Sequence, residues 1–88
     1  MTTTTTVAVT VRYFAAARAA AGGEVETIHL PSGTTVAGLV DQLGARDAEL
    51  AKVLKRCSFL CDGFAVRDAG VTLEAEQIID VLPPFAGG

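Results

Sequence analysis

The spacing of apolar residues in the first third of the chain predicts two strands separated by a short helix. Residues 7–13 alternate between apolar and polar side chains, as in a half-buried strand. One face of that strand would carry Val7, Val9, Val11 and Tyr13. Residues 14–21 are mostly alanine, the strongest helix former, and Gly22-Gly23 would end the helix. Residues 24–30 alternate again and predict the second strand.

The clearest helical pattern follows a turn at residues 31–33. Apolar residues recur there at intervals of three and four, which is typical of an amphipathic helix packed on a core. These residues are Val36, Leu39, Val40 and Leu43. Thr34 or Thr35 could cap the start of this helix, and Gly44 predicts its end.

A second helical stretch and a third strand come next. Residues 47–56 repeat the helical spacing, and Asp47 is a suitable residue to cap their start. The apolar positions of this stretch are Leu50, Val53 and Leu54. A strand is predicted from Cys57 to Leu60.

Turn residues divide the remainder of the chain. Asp62-Gly63 and residues 68–70 predict turns on either side of a short strand at residues 64–66. The last strand covers residues 77–82. It ends at Pro83-Pro84, because proline cannot donate a hydrogen bond to a sheet.

This order of elements is typical of an α+β fold, a mixed sheet with one main helix packed across it. The first and last strands are both apolar and could pair centrally, and a ubiquitin-like β-grasp is the compact fold that fits the order. With 88 residues, the chain has room for one domain. We expect a disordered threonine-rich tail at residues 1–6, the β-grasp domain at 7–82, and an extended, flexible tail at 83–88 that ends in Gly-Gly.

Charge and hydropathy narrow the classes of partner. The formal net charge is −3, and the sequence has no basic stripe of the kind that nucleic-acid binders carry. No apolar run approaches the roughly 18 residues of a membrane span, and the N-terminal threonine run lacks the features of a secretory signal. We therefore expect a cytoplasmic protein that binds neither nucleic acid nor a membrane.

The cysteines and the histidine offer little redox or metal chemistry. Cys57 and Cys61 on one extended strand would lie about 13 Å apart, too far for a disulfide, so two reduced thiols are expected. Together with His29 they do not supply the four ligands of a structural metal site, and iron–sulfur clusters commonly need four cysteines. No metal or bound cofactor is expected. His29 is expected to be a surface or half-buried residue rather than a ligand, and Lys52 and Lys55 are expected at the surface. A persulfide relay through the cysteines is a minor alternative.

The last six residues are the most informative part of the chain. Pro83-Pro84 favours an extended course, so the segment could reach roughly 19 Å from the sheet. Gly87 and Gly88 have no side chains, so this end could enter a narrow channel and present its carboxylate. A carboxylate is ionised at neutral pH and is a poor electrophile, so a partner enzyme would have to activate it as an acyl-adenylate. The alternative is a frayed, flexible chain end without a function.

Three stretches of the sequence resemble the MoaD/ThiS family of sulfur carriers. They are Val11 to Arg18, Leu30 to Val36, and Ile78 to Gly88, which ends in Pro-Pro-Phe-Ala-Gly-Gly. Within that family the likeness is greatest to the small subunits of molybdopterin synthase. The Pro-Pro-x-x-Gly-Gly ending is the most specific part of the resemblance.

The resemblance implies a non-catalytic carrier that works with three kinds of partner. A MoeB-like activating enzyme would use ATP to adenylate Gly88. Sulfur from a persulfide, supplied by a cysteine desulfurase or a rhodanese, would then replace AMP and leave a thiocarboxylate. A MoaE-like large subunit would join the carrier in a heterotetramer. There the sulfur would pass to cyclic pyranopterin monophosphate in the biosynthesis of molybdopterin and the molybdenum cofactor.

The same resemblance assigns roles to residues near the C-terminus and the first helix. Gly88 would carry the adenylate and the thiocarboxylate, while Gly87, Ala86 and Phe85 would enter the partner's channel. The partner interface would include Phe14, Arg18, Leu82, Pro83 and Pro84. Their ordinary alternatives are core positions for Phe14 and Leu82 and a solvated charge for Arg18.

Three other functions remain open from the sequence. The chain could carry sulfur for thiazole or cysteine biosynthesis, although thiazole carriers are typically shorter and lack the helical stretch at residues 47–56. It could also be a ubiquitin-like protein modifier, conjugated to lysines through Gly88. Finally, it could be an interaction module in which the tail is incidental.

Overall fold

The computed structural model describes residues 5–84, and within them the chain forms five strands and three helices. The elements in chain order are β1 (Thr6–Tyr13), α1 (Ala15–Ala21), β2 (Val25–Pro31), α2 (Val36–Arg46), α3 (Ala48–Leu54), β3 (Ser58–Cys61), β4 (Phe64–Ala65) and β5 (Ile78–Leu82). The predicted α+β class is confirmed, with α2 as the longest of the three helices.

The strands form one mixed sheet in the order β2-β1-β5-β3-β4. β1 pairs with β2 antiparallel and with β5 parallel, so the prediction that the first and last strands pair centrally is confirmed. β5 also pairs antiparallel with β3, which continues into β4 through a two-residue turn. That turn places both Asp62 (φ 50°) and Gly63 (φ 86°) in the left-handed region, as a tight hairpin turn requires.

The core lies between one face of this sheet and the helices. The predicted inward face of β1 is confirmed, since Val9, Val11 and Tyr13 are buried and Val7 is partly buried. The α2 stripe is also buried, with Val40 at its margin, and Thr35 caps the helix by accepting a hydrogen bond from the Gly38 N–H at 3.1 Å. The fully buried large side chains are Leu30, Leu39, Leu43, Leu50, Leu73, Ile79, Val9, Val11, Val36 and Val81.

The predicted end of α2 at Gly44 is wrong, because the helix continues to Arg46. A Cβ built on Gly44 would lie 3.4 Å from the Ala51 Cβ, so this glycine lets α2 and α3 pack closely. The helix ends where Asp47 turns extended, and the Asp47 carboxylate then caps α3 by accepting from the Glu49 N–H at 2.9 Å.

Two other predicted boundaries also move. Thr6 belongs to β1 and the Thr5 carbonyl accepts a hydrogen bond from the Ser32 N–H at 2.8 Å, so the predicted disordered tail is wrong for these two residues. Pairing with the end of β2 holds them in place, and residues 1–4 lie outside the described part. β3 begins at Ser58 rather than Cys57, because the Cys57 N–H donates a hydrogen bond to the Leu54 carbonyl at the end of α3 instead of joining the sheet.

Candidate functional site at the root of the C-terminal tail

The parallel pairing of β1 and β5 brings the ends of both strands to the same edge of the molecule. The Phe14 N–H, just after β1, donates to the Val81 carbonyl at 3.3 Å. β5 continues into Pro83 and Pro84, and we call Leu82–Pro84 the tail root. The described residues stop there, so the predicted roles of Phe85, Ala86, Gly87 and Gly88 lie outside them.

The sharp turn between β1 and α1 positions Phe14 beside the tail root. Ala15 has φ 51°, a left-handed conformation that is unusual for a residue with a Cβ and that turns the chain from the strand into the helix. Phe14 is 40% exposed, so the alternative that it is an ordinary core residue is wrong. Leu82 and Pro83 are half-buried, and Pro84 is exposed. The structure thus brings together four of the five residues predicted for the partner interface.

Arg18, the fifth predicted interface residue, lies on α1 and pairs with this chain's own Glu24. One guanidinium nitrogen of Arg18 is 2.6 Å from the Glu24 carboxylate, and both side chains are exposed. Exposed pairs of this kind contribute little to stability. A contact between Arg18 and an acidic residue of a partner stays a prediction.

An ion pair occupies the sheet face that points away from the helices. Arg12 donates two hydrogen bonds to the Asp80 carboxylate, at 2.5 and 2.9 Å, across the β1–β5 register. Asp80 is 5% exposed, and the Arg12 guanidinium also lies 6.0 Å from the centre of the Phe14 ring. The hydrogen bonds to Asp80 raise the pKa of Arg12 above its already high ordinary value. We call this outer surface, with Arg12, Phe14, Ile78, Asp80 and Leu82, the open face.

On the other side of the tail root, α3 and α1 form the walls of a cleft with a volume of about 620 Å³. We call it the cationic cleft, and its lining residues are Ala16, Lys52, Val53, Lys55, Arg56, Pro83 and Pro84. Lys52 and Lys55 are exposed, as predicted, but nothing in the sequence alone indicates that they lie near the tail. The only sequence signal was their helical spacing with Arg56 in a chain with seven lysines and arginines.

The two cysteines are free thiols in partly buried positions. Cys57 lies between α3 and β3, and its thiol contacts the Val53 carbonyl at 3.2 Å. Burial raises the pKa of the Cys57 thiol, and burial together with the charge of Asp62 raises that of Cys61. A raised pKa reduces the thiolate fraction at neutral pH, which disfavours a persulfide relay through either residue.

We expect both thiols to alkylate slowly at neutral pH, and the rate to rise only above the ordinary thiol pKa of about 8.5. The measurement is the rate of iodoacetamide labelling against pH, followed by intact mass. The chain unfolded in urea serves as the control for a thiol of ordinary pKa. A pH midpoint equal to that of the unfolded chain would contradict the prediction.

Two further observations concern metal binding and membranes. Residues 5–84 contain no group of three or more His, Cys, Asp or Glu side chains that could hold a metal ion, and His29 is exposed on β2. Within the same residues, no helix combines the length and the apolar character needed to cross a membrane.

Comparison with known proteins decides the family. The sequence profile of the ThiS family matches residues 11–88, which is nearly the whole chain and includes its final glycine. The chain belongs to the ThiS family. No curated protein matches this ThiS-family chain in sequence.

Solved structures share the fold of this ThiS-family chain. A Pyrococcus furiosus protein assigned as molybdopterin converting factor subunit 1 is 26% identical, with a TM-score of 0.81, covering 90% of this chain and 99% of that one. Small archaeal modifier protein 1 of Haloferax volcanii is 21% identical, with a TM-score of 0.80, covering 92% of this chain and 99% of that one. The predicted β-grasp and the resemblance to MoaD/ThiS sulfur carriers are confirmed.

A third structure is a complex of two proteins from Helicobacter pylori. It contains subunits 1 and 2 of the molybdopterin-converting factor, and the matched chain is 21% identical with a TM-score of 0.67. The match covers 93% of this chain and 100% of that one. At this identity the likeness concerns the fold alone.

Proposed function

We propose that this chain is a sulfur carrier whose C-terminal Gly88 is adenylated and then converted to a thiocarboxylate. The observation that carries the proposal is the extent of the family match, which continues from β1 through the tail to the last glycine. The carrier itself supplies no catalytic group. Its contribution is to position the acyl carbon of Gly88 in a partner's active site, which is a demand of geometry rather than of acid–base chemistry.

The architecture suits that task because the tail leaves from the centre of the sheet. β5 pairs with β1 on one side and with β3 on the other, so the tail root is anchored by two strands. Pro83 and Pro84 then favour an extended course away from the sheet. An anchored tail root followed by a segment that ends in glycines lets a partner bind the domain and receive the tail at the same time.

The pathway we favour is molybdopterin synthesis, with cyclic pyranopterin monophosphate as the sulfur acceptor. The 26% identical Pyrococcus protein, assigned to the molybdopterin converting factor, supports this choice. We propose a MoeB-like enzyme for adenylation with ATP, a cysteine desulfurase or a rhodanese as the sulfur donor, and a MoaE-like large subunit as the site of transfer. The Helicobacter complex is a precedent in fold for pairing with a second subunit.

The open face is the surface we assign to the large subunit. Phe14 lies beside the tail root there, Leu82 is the first residue of that root, and the Arg12–Asp80 pair is already satisfied within the chain. A partner could therefore cover this face without leaving a buried charge unpaired, which would be costly. Stable subunit interfaces are typically apolar at their centre, as this surface is around Phe14 and Leu82.

A second candidate function is conjugation of Gly88 to lysines as a protein modifier. The likeness to small archaeal modifier protein 1 favours it, although that likeness concerns the fold. Both functions begin with adenylation of the same carboxylate, so they differ only in the nucleophile that follows. Sulfur carriage for thiazole or cysteine biosynthesis would likewise differ only in the acceptor.

The intact mass of the chain tests the proposal. The incubation contains a MoeB-like enzyme, ATP, a persulfide donor and a thiol reductant, which cleaves the acyl disulfide formed when the persulfide displaces AMP. We expect the mass to rise by the difference between sulfur and oxygen, localised to Gly88. Binding of the product to a MoaE-like subunit would then support the molybdopterin pathway, and lysine conjugates in cell extract would support the modifier. An unchanged mass, with the enzyme active on its own carrier, would contradict sulfur carriage.

A further inference from the structure

The charges of the chain are distributed unevenly around the tail root. Within residues 5–84, four of the seven lysines and arginines form ion pairs with carboxylates. Within residues 5–84, Lys55, Arg56 and Arg67 form none. Two of these three cations, Lys55 and Arg56, line the cationic cleft. In a chain of formal net charge −3, this concentrates unpaired positive charge at one place.

The cationic cleft has the composition of a protein-binding surface rather than of a purely solvated face. Its walls combine Lys55, Arg56 and Lys52, which also pairs with Glu49 at 3.5 Å, with the apolar side chains of Ala16 and Val53. Pro83 and Pro84 belong both to the cleft and to the tail root. Any protein that encloses the tail close to the domain must therefore come against the cleft as well.

We infer that the cationic cleft docks an acidic segment of the enzyme that activates Gly88, next to the channel that receives the tail. This inference rests on the proposed function, and it adds the surface and the charge by which that enzyme selects the carrier. Carboxylates are the groups that complement Lys52, Lys55 and Arg56 in charge.

The activating enzyme is the occupant, rather than the large subunit, because the open face is the surface assigned to the large subunit. The carrier must leave each partner once per cycle, since both would bind the same tail. Complexes that exchange in this way depend on their association rate, and complementary charges raise that rate by steering the encounter. The complex with the large subunit also has the apolar area of the open face, so the charge of the cleft bears most on the activating enzyme.

Two charge-matched variants test this inference. Lys55→Gln/Arg56→Gln removes two charges from the cleft, whereas Ser32→Glu/Ala37→Glu adds two negative charges on exposed positions at the opposite end of the sheet. Both lower the formal net charge by two. All four side chains are exposed, so the fold is retained, and the thermal midpoint of each variant checks this.

The readout is the KM for the carrier and the kcat of adenylation, measured as pyrophosphate release by the MoeB-like enzyme. For the cleft variant we expect KM to rise about tenfold at low salt with kcat unchanged, as loss of steering requires. The rise should shrink between about 0.01 M and about 0.15 M salt, because the Debye length falls from roughly 30 Å to about 8 Å. The control variant should stay within about twofold of the wild type, since its charges are remote.

The outcomes separate this inference from its alternatives. An unchanged KM in the cleft variant would overturn the inference. An equal rise of KM in both variants would also overturn it, because the effect would then come from net charge alone. A lower KM in the cleft variant would overturn it by showing that the cations hold the chain's own C-terminal carboxylate. An equal loss of affinity for the MoaE-like subunit would assign the cleft to that partner instead. Failure of the wild-type chain to be adenylated at all would refute the proposed function itself.

Discussion

Replacing Gly87 by tryptophan (Gly87→Trp) is expected to slow sulfur transfer about 100-fold or more while the thermal midpoint of the domain stays unchanged. The reason is steric: on the proposed function the end of the partner's channel fits two glycines without side chains, so an indole beside Gly88 would stop the acyl carbon short of the acceptor. Displacements of about 1 Å already cost this much in reactions that depend on positioning. The measurement is single-turnover transfer from the thiocarboxylated carrier to the pterin in the large subunit.

Gly23→Trp is the matched control for this experiment. Gly23 follows α1, and a Cβ built there meets no atom within 4 Å, so the same substitution is accommodated on the surface. We expect Gly23→Trp to transfer sulfur at the wild-type rate. Undiminished transfer by Gly87→Trp would refute entry of the tail into a narrow channel. Equal losses in both variants would indicate an effect of the added ring that is unrelated to the tail.

The elements that could be predicted well from the sequence are those that bury one face and expose the other to water. In β1 and α2, every second or every third and fourth residue is apolar because the other positions face water. That local pattern survives folding, and the buried Val9, Val11, Leu39 and Leu43 follow it. The prediction that α2 ends at Gly44 is wrong because this glycine has a tertiary role. It makes room for Ala51 on α3, and nothing in the neighbouring residues indicates that contact.

The candidate site likewise has one part that local sequence predicts and one part that depends on the tertiary structure. The chemistry of the tail could be predicted, since the Pro-Pro-x-x-Gly-Gly ending is local. The cationic cleft could not, because about 30 residues separate Lys52 from Pro83, and the β5–β3 pairing together with the packing of α1 on α3 brings α3 to the tail root. The Arg12–Asp80 pair likewise depends on the register between strands at opposite ends of the chain.

The charge pattern around the tail root also bears on how one small domain would distinguish the two partners proposed for it. The open face is largely apolar near Phe14, with its ion pair satisfied internally, whereas the cationic cleft carries unpaired charge. Both surfaces meet at the tail root, where Leu82 belongs to the open face and Pro83 and Pro84 line the cleft. On the proposed function, a substitution on one surface should therefore affect one partner more than the other, although both proposed partners would bind the same tail.

The substitution Leu82→Asp on the open face is expected to weaken binding to the large subunit about 30-fold or more, the scale of a hot-spot residue. A carboxylate there would be desolvated in the interface without a partner, next to the existing Asp80. Val71→Asp is the control, because Val71 is an apolar residue that is 54% exposed and lies beside the start of α2, at the opposite end of the sheet. Titration calorimetry with the MoaE-like subunit measures both affinities.

Leu82 is half-buried, so a loss of stability has to be separated from a loss of binding. Phe14→Ser provides that separation, because Phe14 is 40% exposed and its removal leaves the buried residues of β1 and β5 in place. We expect Phe14→Ser to weaken the same complex with a thermal midpoint near that of the wild type. If both open-face variants bound the large subunit as tightly as Val71→Asp does, this face would not be the subunit interface. The tail and the cationic cleft would then be the contacts that remain to hold the partner.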